Sequence, residues 1–130
     1  MAKNIVSITK YDGNPTRNKF TGSILYNVSK EFSNTILSKA SQYLVETIFG
    51  YAYVPSSEDM YGEADGLNWF NSRQRRIGYL TSGASEYYWT RILDSNSGKA
   101  YLVNQSGDIT GPYSLTYDYG FRPCIIVRLS

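Results

Sequence analysis

The sequence contains no histidine and only one cysteine, Cys124. Without histidine, the chain lacks the commonest general base and the commonest metal ligand of proteins. A single cysteine excludes an internal disulfide and a zinc site built from cysteines, and its place in an apolar run predicts a buried, unreactive thiol. We therefore expect no enzymatic activity, no bound metal and no cofactor.

A strong charge imbalance and a long apolar run are also missing. The 13 Lys and Arg residues nearly balance the 11 Asp and Glu residues, so charge alone does not argue for nucleic-acid binding. No stretch approaches the roughly 20 apolar residues that cross a bilayer, and residues 1 to 20 lack the apolar core of a secretory signal. We expect a protein made in the cytoplasm, with no nucleic-acid partner and no membrane insertion.

Tyrosine is in excess, with 13 among 130 residues. Because its side chain joins a large apolar ring to a hydroxyl, such a surplus suits either a small β-rich core or a contact surface. The length fits one domain with its own core. We divide the chain into residues 1 to 15, an N-terminal arm or edge strand, and residues 16 to 130, the domain.

Residues 29 to 47 are the best candidate for a helix, with Ser29 or Asn27 as its cap and Gly50 just beyond its end. A short helix is predicted over residues 56 to 61, with Ser56 as N-cap and Asp59 completing a capping box, after a strand over residues 51 to 54. The long helix is indicated by apolar residues at spacings of three and four: Phe32, Ile36, Leu37, Ala40, Tyr43, Leu44 and Ile48.

Residues 86 to 130 carry the clearest pattern of β-strands. A strand-like run over residues 87 to 93 is followed by turn residues 94 to 98 and by a second run over residues 99 to 104, which predicts a hairpin. A third, short strand, Ile109-Thr110, is expected to end at Gly111-Pro112. The four consecutive apolar residues 124 to 127 indicate a strand buried on both faces.

Residues 4 to 10 form a further strand-like segment that ends at the turn residues 11 to 15. Two interpretations are open. The segment is either an arm that pairs with the sheet edge of a neighbouring subunit or an edge strand of its own sheet.

Glycines interrupt residues 62 to 83, where Trp69 and Phe70 precede a basic cluster of Arg73, Arg75 and Arg76. Such a loop is a place for function. The cluster suits either an acidic ligand or pairing with Glu58, Asp59, Glu63 or Asp65, and pairing is the simpler interpretation. Asp94, Asp108 and Asp118 match no calcium loop, so we interpret them as turn residues.

The order of motifs over residues 86 to 129 resembles the DUF6273 family. Its elements are Trp89-x-Arg91, the run AYLVNQSGDI after a turn, and Gly120-Phe121-Arg122-Pro123 before a hydrophobic strand. A weaker similarity covers residues 51 to 59. The opening strand of the family, with its tryptophan, is not recognisable before residue 20.

This family is similar to the C-type-lectin-like fold in its formylglycine-generating-enzyme, or sulfatase-modifying, branch. It recurs in bacterial surface proteins and in head or tail proteins of phages. The resemblance implies an α+β fold with small twisted antiparallel sheets, one main helix over about residues 29 to 47, one short helix over about 56 to 61, and long loops. The catalytic branch uses a pair of cysteines, and this chain has one.

The resemblance therefore implies a non-enzymatic structural or adhesion protein of a virion, as a head or tail decoration, fibre or receptor-binding module. The alternative is a bacterial cell-surface or secreted binding module. The missing opening strand predicts an oligomer or a complex with other virion proteins, and a host surface glycan or protein is a further partner.

Two groups of residues follow from this interpretation. Trp89, Arg91, Gly120, Arg122 and Pro123 are expected to be structural, because a guanidinium offers five fixed donors that tie loop carbonyls to strand ends. The expected contact residues combine the tyrosine-rich loop with the basic and aromatic cluster: Tyr113, Tyr117, Tyr119, Trp69, Phe70, Arg73, Arg75 and Arg76.

Overall fold

A five-stranded sheet, built mainly from the last third of the chain, organises the fold. The computed structural model describes residues 6 to 16, 18 to 61 and 72 to 128. Within these ranges it is a mixed α+β protein with a second, two-stranded sheet and short helices, which confirms the predicted class. The strands are β1 (Ser7–Lys10), β2 (Gly78–Tyr79), β3 (Ser85–Glu86), β4 (Tyr88–Leu93), β5 (Ala100–Val103), β6 (Ile109–Tyr113) and β7 (Asp118–Phe121).

The large sheet has the strand order β1-β7-β4-β5-β6, and β2 pairs with β3 in the small sheet. The predicted hairpin of β4 and β5 is confirmed, and the Asp94 carboxylate accepts hydrogen bonds from the Ser97 amide and hydroxyl in its turn. The pairing of β4 with β7 is parallel, at Tyr88 and Gly120, which departs from the expected antiparallel sheets.

Strand β6 runs through Gly111 and Pro112, where the sequence predicted its end. Proline lacks a backbone N–H group and is tolerated in a sheet when its strand lies at the edge. Because β6 is the outermost strand on its side of the sheet, this position is permitted.

The N-terminal strand lies at the other edge of the same sheet. Strand β1 pairs antiparallel with β7, from Ser7 opposite Phe121 to Lys10 opposite Asp118. The Trp89 indole donates a hydrogen bond to the Thr9 carbonyl at 3.0 Å. Of the two interpretations, the second therefore describes β1: it is an edge strand of its own sheet and not a free arm.

Alternate residues of the central strands fill two cores on opposite faces of the sheet. Trp89 and Leu102 are cross-strand neighbours in one cluster, and Tyr88 and Val103 are neighbours in the other. All four are fully buried. This alternation is the expected consequence of the twofold period of a strand.

The main helix differs from the predicted one in its bounds and its regularity. Helix α1 spans Ile24–Glu31, continues as a π-helical turn over Phe32–Ile36 and ends as a 3-10 helix over Ser38–Tyr43. Since these three forms have different residues per turn, spacings of three and four do not keep one face along the segment. Ile36 and Tyr43 are consequently 63% and 61% exposed, and Ile48, which lies beyond the end of the 3-10 helix, is 93% exposed.

The cap of α1 is Ser23, and neither Ser29 nor Asn27 has this role. The Ser23 hydroxyl accepts a hydrogen bond from the Tyr26 amide at 3.1 Å. Ser29 lies inside the helix, and within the described part of the chain its buried hydroxyl has no hydrogen-bond partner.

Ser23→Ala should lower the free energy of unfolding by about 1 kcal/mol, because an unmet amide remains at the first turn. Urea denaturation measures the effect. Ser29→Ala is the matched control and should change stability by less than about 0.5 kcal/mol, because it removes a hydroxyl that donates to none of the described residues. Equal losses in both variants would contradict the assignment of the cap.

The predicted short helix is confirmed as α2 (Ser57–Tyr61), and the Asp59 carboxylate accepts from the Ser56 amide at 2.8 Å. The predicted strands over residues 51 to 54 and 124 to 127 are wrong. Instead of strands, these segments form isolated β-bridges. Tyr53 forms one with Cys124, and Val127 forms another with Leu44. The apolar run predicted that residues 124 to 127 are buried on both faces. Ile125 and Val127 are instead 44% and 56% exposed.

Candidate functional site

Four tyrosines meet around the ring of Tyr119, and we call them the tyrosine cluster: Tyr87, Tyr113, Tyr117 and Tyr119. The Tyr119 ring lies at the centre, with ring centroids at 5.8 Å from Tyr87, 5.9 Å from Tyr113 and 6.4 Å from Tyr117. The sequence analysis expected three of these residues at a contact surface. It missed Tyr87, which is adjacent in the chain to the buried strand β4 and gave no separate signal.

The buried core supports the tyrosine cluster from below. The Trp89 ring packs edge-on against Tyr119 at 5.4 Å and against Tyr11 at 5.5 Å. Both Trp89 and Tyr11 are fully buried, whereas Tyr117 is 54% exposed. Edge-to-face pairs at these distances are favourable beyond the area that they bury, so the exposed rings are held in place by a rigid base.

The hydroxyl of Tyr119 lies in an environment that disfavours its ionised form. Partial burial raises the pKa of Tyr119, and the neighbouring Tyr113, Tyr117, Tyr87 and Glu86 raise it further. The cluster therefore presents Tyr119 as a neutral hydrogen-bonding group at physiological pH.

A charged pair links the neighbouring strands β1 and β7. The Lys10 ammonium lies 2.9 Å from the Asp118 carboxylate, and the side chains are 42% and 60% exposed. Asp118 directly precedes Tyr119 in β7, so their side chains point to opposite faces of the sheet. The pair is therefore not part of the tyrosine cluster.

Arg122 lies in the second core, away from the tyrosine cluster. Its side chain is buried, donates to the Tyr88 hydroxyl at 3.0 Å and stacks over the Tyr88 ring. The same hydroxyl donates to the Arg76 carbonyl. Burial raises the pKa of Tyr88 to about 12, although the Arg122 charge opposes that shift. Arg122 is thus buried and hydrogen-bonded within the domain.

Cys124 packs in the same core as Tyr88. Burial raises the pKa of its thiol to about 12, with a smaller opposing effect of Arg122. A thiol kept protonated in this way is a poor nucleophile.

Arg91 ties a loop to strand β4, as the resemblance implied. One guanidinium nitrogen, Nη1, donates to the Val54 carbonyl at 2.6 Å and to the Asp59 carboxylate at 2.8 Å. The guanidinium also stacks over the Phe49 ring at 5.1 Å.

The backbone at Gly120 explains why glycine fits the sheet there. A Cβ atom at this position would lie 2.7 Å from the Tyr87 carbonyl oxygen and 2.9 Å from the Val6 side chain. The close approach of β7 to its neighbours therefore requires the missing side chain.

The basic cluster does not act as one surface. Arg76 is buried and donates to the Gly107 carbonyl at 2.7 Å, while Arg73 pairs with Asp108 at 3.3 Å. Asp108 was not among the expected acidic partners, and the expected partner Asp59 binds Arg91 instead. Arg75 is exposed, at the centre of the short helix α3 (Arg73–Arg76).

The remaining expected contact residues cannot be compared with the tyrosine cluster. Trp69 and Phe70 lie outside the described residues, as do Glu63, Asp65 and the side chain of Glu58. Among the residues that the structure describes, no helix is long and apolar enough to cross a bilayer, and no three acidic or cysteine side chains converge as metal ligands.

Comparisons of the chain with protein-family models, with characterised proteins and with solved structures found no match. The function is therefore argued from the tyrosine cluster and from the sequence.

Proposed function

We propose that this chain is a non-enzymatic structural or adhesion module of a phage particle, with a C-type-lectin-like fold of the DUF6273 type. Its contact surface is the tyrosine cluster. The partner is another virion protein, a second copy of the chain, or a molecule of the host surface.

The observation that carries the proposal is the packing of the Tyr119 ring, which contacts exposed Tyr117, on buried Trp89. Tyrosine and tryptophan are enriched at interfaces because they bury a large area while few rotatable bonds become fixed. A rigid base reduces the entropy lost on binding still further. A cluster of this kind suits recognition without chemistry.

Two further observations support the proposal. Two of the motif residues that carry the resemblance have structural contacts. Arg91 donates to a loop carbonyl, and the missing side chain of Gly120 allows neighbouring backbone to approach closely. Strand β1 also completes the edge of its own sheet. An assembly of this protein therefore does not need an exchanged N-terminal arm, and the tyrosine cluster is the better candidate for its interface.

Particle composition tests the first half of this proposal. Phage particles from a strain that carries the gene are purified on a density gradient and analysed by mass spectrometry. The chain should band with the particles in a fixed ratio to the major capsid protein. If it is instead recovered only from the surface of uninfected cells, the bacterial surface module is correct and the phage assignment is wrong.

Tyr117→Ser should weaken binding to the partner at least about tenfold, since truncating an aromatic residue that anchors an interface costs about 2 kcal/mol or more. Labelled protein is titrated against host cells and against particles that lack the gene product. The melting temperature should not change, because Tyr117 is 54% exposed.

Tyr43→Ser is the matched control, because Tyr43 is 61% exposed and is not part of the cluster. It should bind as well as the unmodified protein. If Tyr43→Ser weakens binding as much as Tyr117→Ser, the tyrosine cluster is not the contact surface.

A further inference from the structure

An open groove on the same face of the sheet as Trp89 has the features of a ligand site. It has a volume of about 620 Å³ and lies between the segment that follows residue 17 and the end of strand β4. Small-molecule sites typically enclose about 300 to 1,000 Å³. The size therefore suits a small ligand or the end of a peptide.

The apolar wall of the groove is preformed. Phe20 and Phe49 both line it, and their rings meet edge-on at 5.5 Å. Tyr11 and Tyr26 hold Phe20 from other sides at 6.3 Å and 5.4 Å. Leu93 continues the wall. An apolar group that enters the groove therefore meets rings that are already in position.

Among the described residues, the charged side chains that line the groove are both positive: Lys19 and Arg91. Asp59, which pairs with Arg91, does not line it. Lys19 is exposed and forms no ion pair with any residue that the structure describes. Asn18 has a left-handed backbone, with φ of 50°, and the turn that it makes sets Lys19 and Phe20 beside the groove.

Arg91 is held in place by one of its nitrogens, and its other hydrogen-bond donors remain available to a ligand. Nη1 binds Val54 and Asp59, whereas Nη2 and Nε make no hydrogen bond with the described residues. The side chain is 24% exposed, and its guanidinium lies over the Phe49 ring at 5.1 Å from the centroid. A guanidinium with a free edge is suited to a carboxylate, which accepts two parallel hydrogen bonds.

We propose that this groove binds a carboxylate joined to an apolar group, with the carboxylate between Lys19 and Arg91 and the apolar group against Phe20, Phe49 and Leu93. Two kinds of ligand contain a carboxylate joined to an apolar group: a free organic acid, and the C-terminus of a polypeptide that ends in an apolar residue. The site is separate from the tyrosine cluster and does not depend on the function proposed above.

Nuclear magnetic resonance titration of the full-length, nitrogen-15-labelled protein tests the site. The probes are 4-phenylbutyrate and a hexapeptide ending in phenylalanine, each compared with its uncharged partner, 4-phenylbutanol or the peptide amide. At least one acid should give saturable shifts at residues 18 to 21, 49 and 91 to 93, with an affinity at least tenfold above that of its uncharged partner. The acid with the higher affinity shows whether the ligand is a free organic acid or the C-terminus of a polypeptide.

Lys19→Glu reverses a charge at an exposed position and should reduce the affinity for the acid at least tenfold. Lys39→Glu makes the same change at an exposed lysine that does not line the groove, and it should bind as the unmodified protein does. Arg91→Lys keeps the charge, loses the fork of donors and should bind severalfold more weakly. The proposal is overturned if neither acid shifts these residues saturably, or if Lys19→Glu and Lys39→Glu bind equally well.

Discussion

Trp89→Ala should lower the free energy of unfolding by about 4 kcal/mol, the range found when a buried aromatic residue is truncated to alanine. Trp89 is fully buried at the centre of the larger core cluster. Its ring contacts Tyr11 on one side and Tyr119 on another, and its indole N–H satisfies the Thr9 carbonyl of the edge strand. Its loss therefore leaves a cavity and an unpaired carbonyl. Urea denaturation followed by circular dichroism measures the effect.

Trp89→Phe separates the two contributions. It keeps an aromatic ring in the core but cannot donate to Thr9, so it should lose about 1 to 2 kcal/mol. The variant should also loosen β1, which hydrogen exchange at residues 7 to 10 measures. If Trp89→Ala costs less than about 1 kcal/mol, Trp89 does not support the tyrosine cluster in the way described.

Arg122→Ala should lower the free energy of unfolding by about 3 kcal/mol, because it removes a buried, hydrogen-bonded side chain and leaves a void. Arg122 is 5% exposed, and its contact with the Tyr88 hydroxyl joins it to the Arg76 carbonyl. Thermal melts measure the loss. Arg128→Ala is the control, since Arg128 is exposed and donates to the Leu44 carbonyl at 3.3 Å. It should cost less than about 1 kcal/mol.

A double-mutant cycle with Tyr88→Phe tests whether this contact is the cause. The two substitutions should be non-additive by about 1 kcal/mol or more, because they share one hydrogen bond. An Arg122→Ala variant that melts like the unmodified protein but no longer binds its partner would contradict the structural role and make Arg122 a binding residue.

The sequence alone determined the elements whose chemistry is local. The hairpin of β4 and β5 follows from apolar runs on either side of Asp94 and Gly98, and helix α2 follows from Ser56 and Asp59. The burial of Cys124 was also predicted correctly. In each case the deciding interactions lie within a few residues in the chain or depend on an unmistakable apolar environment.

Only the tertiary structure decided where distant segments meet. The pairing of β1 with β7 joins residues more than a hundred positions apart, so no local pattern distinguished an edge strand from an exchanged arm. The main helix begins earlier than its apolar spacing indicated, because the Ser23 cap and the later change of helical form override that spacing. Tyr87 joins the tyrosine cluster, and Arg76 is buried under Gly107, through contacts across the fold. Sequence periodicity shows which side chains share a face of one element, but it does not show which other element covers that face.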